Sequence, residues 1–160
     1  MIVSLNIAII GLLLWVFYQD LKERKVTIFL LLILFALGGF LHSQFHMFEI
    51  FLMHISINLA VIGCILLILL LYTRWIMKKR LFEAFGLGDL LFFLVLAVSF
   101  PVPTFLIVFS SSLVFAFIVF MVLKPSLKDQ TIPLAGFQAL FVLMMMMSNL
   151  IFNFTDLYRV

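Results

Sequence analysis

Apolar residues in this chain come in long runs, broken by short polar clusters. They show neither the alternation of a half-buried strand nor the stripe of an amphipathic helix. The runs cover 2–18, 26–41, 50–72, 90–123 and 132–152. Each reads as a helix apolar on every side, the pattern of a membrane span. As one helix the run 90–123 would measure about 50 Å, against a hydrocarbon core of about 30 Å. Pro101-Val102-Pro103 divides it, because proline removes a backbone donor and crowds the preceding turn. Six transmembrane helices are therefore predicted, in an all-α polytopic membrane protein with a single domain over 1–160. The spans are short near 2–18, 26–41 and 90–100, so their ends are the least defined.

Composition agrees. Hydrophobic residues make up 67% of the 160 residues and charged residues 11%, and the mean hydropathy is +1.38. Such a chain has lipid as its solvent. The ten Lys/Arg cluster at 22–25, 74–80 and 124–128, with Arg159 near the end. That is the signature of loops on one membrane face, and it argues against a nucleic-acid surface. With both termini outside, nine of the ten basic residues lie in the cytoplasm, as the positive-inside rule requires. The run 2–18 lacks a basic leader and a small-residue cleavage site, so it reads as a retained span. Cys64 is the single cysteine, which excludes an intrachain disulfide and a cysteine-built zinc site.

Two carboxylates now matter. Asp20 closes the first span and Asp89 opens the fourth. Two complete spans separate them, so both belong to the cytoplasmic face. An acid at membrane depth marks a functional site by default. Two at one depth can share a water: one takes its proton as general base, while the other, protonated, polarises a carbonyl and then donates to a leaving amine. Either can hold the proton. Gly86 and Gly88 precede Asp89 in Gly86-Leu87-Gly88-Asp89. Without a Cβ they let a helix or an extended substrate approach the acid.

That tetrapeptide resembles the GxGD signature of intramembrane aspartyl proteases. Asp20-Leu21-Lys22-Glu23-Arg24-Lys25-Val26-Thr27 resembles the first-aspartate motif of the type IV prepilin peptidases, and Thr131-Ile132-Pro133-Leu134-Ala135-Gly136-Phe137 the start of that family's last helix. Presenilin-like proteases carry Tyr-Asp at the first site; here Gln19 precedes Asp20. Three positions depart from the prepilin peptidase pattern: Leu91 stands where lysine is often found, and Thr27 and Gly136 where proline is common. The resemblance implies an aspartic endopeptidase of a prokaryotic cell (inner) membrane with Asp20 and Asp89 as its dyad and Gly86 and Gly88 in support. It implies cleavage of pilin-like precursors between a basic leader and a hydrophobic helix. It implies no metal or organic cofactor, and a compact form without the N-terminal methyltransferase region. The alternative is a degenerate relative serving as an assembly factor or as a small proton- or cation-coupled transporter.

The remaining polar residues have plainer readings. The segment 72–85 suits a helix lying at the lipid interface, with a flap over the dyad as the sharper idea. Glu23, Glu83 and Asp129 read first as neutralising neighbouring Lys or Arg, with docking of a basic leader as the sharper idea. His42, His46 and Glu49 read as a solvated turn. His54 and Asn58 share a helix face and are expected to bond a neighbouring helix. Ser110-Ser111-Ser112 and the run Met144–Met147 read as packing.

Overall fold

Four of the five apolar runs form one helix each, and the run 90–123 forms two. The computed structural model describes residues 2–77, 86–123, 133–152 and 157–158. Among them are six α-helices: α1 (Ile2–Glu23), α2 (Ile28–Ser43), α3 (Phe48–Tyr72), α4 (Leu87–Ser99), α5 (Val102–Leu123) and α6 (Leu134–Phe152). A π-helical turn, Thr73–Met77, extends α3. Pro101 separates α4 from α5, as expected.

Helices α1, α3, α5 and α6 are long and apolar enough to cross a membrane, whereas α2 has 16 residues and α4 only 13. The chain is thus an all-α, multi-pass membrane protein. Phe29, Ile68, Ile107 and Val122 point outward with most of their surface exposed, as lipid contact allows. One boundary differs clearly from expectation. Helix α1 continues past 18 to Glu23, because the polar residues after Tyr18 extend the hydrogen-bonded ladder even though they end the apolar run.

The short helix α4 sits at the centre. It packs against α2, α3, α5 and α6, and from Val95 to Ser99 every residue is buried. A helix shorter than the bilayer needs protein at its ends, since buried terminal carbonyls must find donors. Asn58 on α3 supplies two: its Nδ2 donates to the carbonyls of Ala97 (2.8 Å) and Phe100 (2.9 Å). His42 on α2 donates through Nδ1 to the carbonyl of Val98 at 2.9 Å.

Helices α2 and α4 run parallel and touch closely. Gly38 faces Ser99, with no room for a Cβ, and a Cβ on Gly39 would lie 2.7 Å from Val98. Small residues permit this approach of backbones. Helix α1 packs antiparallel on α6, which brings the end of α1 to the start of α6. Residues 157–158 fold back over the opposite end, where Tyr158 stacks on Phe45 and Phe100.

Candidate active site

Asp20 lies in the last turn of α1 and is 6% exposed. Two local devices fix it there. Arg24 turns left-handed (φ 55°), and its N–H donates to the Asp20 carbonyl at 3.1 Å, closing the helix. The Gln19 side chain then clasps Thr27: its Nε2 donates to the Thr27 hydroxyl (2.7 Å) and its Oε1 accepts from the Thr27 N–H (3.0 Å). Thr27 is the residue before α2, so this clasp sets the exit of α1 and the entry to α2 together.

Asp89 is the third residue of α4 and is half-buried. Its carboxylate reaches across to another helix. The first turn of α6 presents N–H groups with no partner inside the helix. Asp89 Oδ1 accepts from the N–H of Ala135 at 2.7 Å, and Asp20 Oδ2 from that of Gly136 at 2.6 Å. The two acids, 69 positions apart in sequence, therefore stand side by side on consecutive amides. Both bonds are short, as expected for amides donating to carboxylates, and the helix dipole favours negative charge at this end. Asp89 also takes a hydrogen bond from the backbone of Gly86, whose Cα side lies against its Oδ2.

Two glycines adjoin the acids directly. A Cβ on Gly136 would lie 2.9 Å from both the Cβ and the Oδ2 of Asp20, and one on Gly86 would lie 2.9 Å from Asp89 Oδ2. Gly88 differs: its nearest neighbour would be Val26 at 3.6 Å, an ordinary contact. Leu91 lines an apolar groove between α2 and α4 together with Ile28, Leu31, Leu32 and Phe35.

The amides of Ala135 and Gly136 escaped sequence reasoning, which treated Gly136 as a departure from a proline pattern. The available signal was Pro133 followed, after Leu134, by the small residues Ala135 and Gly136, the start of a helix that something must approach closely. The histidines need correction. His42 is fully buried in the last turn of α2, not in a solvated turn, and lies beside His46 and His54; Glu49 is exposed and outside that group. Asn58 bonds a neighbouring helix as expected. Glu23 is exposed at the end of α1. Glu83, Asp129, Thr131, Ile132 and Arg159 lie outside the described residues, as does the part of the expected interfacial helix over 78–85.

The sequence model of the type IV leader peptidase family matches residues 7–123, a stretch that includes both aspartates, Gly86 and Gly88. No curated protein and no solved structure matches the chain.

Proposed function

Because this chain belongs to the type IV leader peptidase family, we propose that it is an aspartic endopeptidase with Asp20 and Asp89 as its catalytic pair. One observation carries the reading: carboxylates from α1 and α4 converge on neighbouring amides of α6.

The pair supplies both proton transfers of peptide hydrolysis. One aspartate, ionised, takes a proton from water as the water oxygen attacks the scissile carbonyl carbon. The other, protonated, donates to the carbonyl oxygen, giving a tetrahedral diol. When the C–N bond breaks, the first aspartate gives its proton to the leaving nitrogen, and the second recovers one from a diol hydroxyl. The α6 amides hold both acids in register, so little reorganisation is needed.

The substrate is a pilin-like precursor with a basic leader and a hydrophobic helix, cut between the two at the cytoplasmic face. The basic clusters beside both aspartates support that face through the positive-inside rule. The groove lined by Ile28, Leu31 and Leu91, of which Leu91 lies two residues along α4 from Asp89, offers the precursor's helix an apolar berth.

Co-expression with a prepilin-like precursor from the same genome tests the reading. The parent shortens the precursor; Asp20→Asn and Asp89→Asn each leave it intact. Asparagine keeps an oxygen for the α6 amides, so both variants retain the fold. Continued cleavage by either well-folded variant would remove that residue from the dyad.

A further inference from the structure

We propose that His42, His46 and His54 form a binding site for a divalent transition-metal ion, zinc foremost, at the bundle end away from the aspartates. These are all three histidines of the chain. They come from the end of α2, the turn after it and the second turn of α3, yet one nitrogen of each lies within 4.8 Å of the others. The site is independent of the peptidase reading.

The separations suit a metal. A zinc ion binds imidazole nitrogen at about 2.0–2.1 Å, which places two tetrahedral ligands roughly 3.3 Å apart. His42 Nε2 and His54 Nδ1 are separated by 3.3 Å. His46 requires a movement of up to about 1.5 Å to join them at that spacing, which a ring on a turn can make.

The protons are also arranged for it. The carbonyl of Val98 can only accept, so His42 Nδ1 carries the hydrogen in their 2.9 Å bond, and its Nε2 presents a lone pair to the cluster. A ligand histidine whose other nitrogen is held by a backbone carbonyl is the usual outer-sphere arrangement of metal sites. In the metal-free protein His54 Nδ1 donates to that lone pair. With a metal in place, the His54 proton moves to Nε2, leaving all three imidazoles neutral. His46 Nε2 is buried and has no hydrogen-bond partner among the described residues. A buried polar atom of that kind calls for an explanation, and a bound cation supplies one.

Three imidazoles leave a tetrahedral ion one open position. His46 is only half-buried and marks the way in. The ion would tie α2, its following turn and α3 to one another and, through Val98, to the end of α4. The competing account is a packed aromatic cluster, since the three rings also make edge and stacking contacts with one another.

The test uses the full chain, without a polyhistidine tag, purified in detergent and stripped with a chelator. Zinc is titrated in competition with a chromophoric zinc indicator, and thermal unfolding is followed with and without zinc. Cobalt(II) absorption then reports coordination. The expected result is one zinc per chain, a higher Tm and a cobalt spectrum typical of nitrogen ligands. His46→Ala and His54→Gln should each weaken binding by more than about 10-fold, the loss that even an outer-sphere partner can cost, and abolish the zinc-induced rise in Tm. His46→Ala removes no hydrogen bond described above; His54→Gln preserves polarity should the first fail to fold. A folded parent that takes up neither ion, or variants that bind as the parent does, would overturn the site in favour of aromatic packing.

Discussion

A methyl group at position 136 would lie 2.9 Å from the Cβ and Oδ2 of Asp20, closer than such atoms can sit, and neither the α1 backbone nor the α6 helix can easily yield. Gly136→Ala should therefore displace the carboxylate. Misplacing a catalytic group by about 1 Å can cost about 100-fold in rate, so precursor cleavage should fall by that order while the protein level holds. Gly88→Ala, with Val26 at 3.6 Å, should cleave within a few-fold of the parent; assaying the pair side by side separates crowding at Asp20 from a general intolerance of side chains. At the other end of the molecule, Tyr158 is buried against Phe45 and Phe100, and burial raises its pKa above the ordinary value of about 10. The fold favours the neutral phenol. Its contribution is complete below about pH 10 and is lost as pH rises from there toward the raised folded value. Chemical denaturation of the parent should accordingly show a loss of stability above about pH 10 that is smaller in Tyr158→Phe.

Among the elements, α4 depends most on its neighbours. Its last carbonyls rest on Asn58 and His42. Asn58→Leu should destabilise the bundle by about 1–2 kcal/mol, near the upper end for hydrogen bonds between membrane helices, measured as a lower midpoint in detergent unfolding. Helix existence was legible in the sequence because lipid demands apolar side chains all round, and the prolines at 101 and 103 mark the break without help from packing. The last turn of α1 was not legible: the apolar run stops at Tyr18, and only the clasp on Thr27 and the bond to α6 account for the helical turn that carries Asp20 on to Glu23. The shared face of Asp20 and Asp89 followed from counting spans, but the amides that receive them did not, since a backbone N–H leaves no trace in a sequence. The histidines failed for a related reason. Their meeting depends on the path of the turn between α2 and α3, and spacing alone does not set that path.

For the whole molecule, the charge distribution makes an orientation test decisive. In a Cys64→Ser background, a cysteine at exposed Met47 should react with a membrane-impermeant maleimide on intact cells. One at exposed Glu23 should react only after permeabilisation. The opposite pattern would invert the topology and put the aspartates outside. The brevity of α4 has its own bearing on how the protein meets its membrane. At 13 residues it rises about 20 Å, some 10 Å less than the hydrocarbon slab, and it is largely screened by its neighbours. Thickening or stretching the bilayer acts on the long outer helices, which can tilt to accommodate it. Asp89 rides on a helix that lipid scarcely grips. Asp20, by contrast, rides on α1, one of the long outer helices, so bilayer stress would reach the pair through α1 and the α6 amides that both acids share, and not through α4.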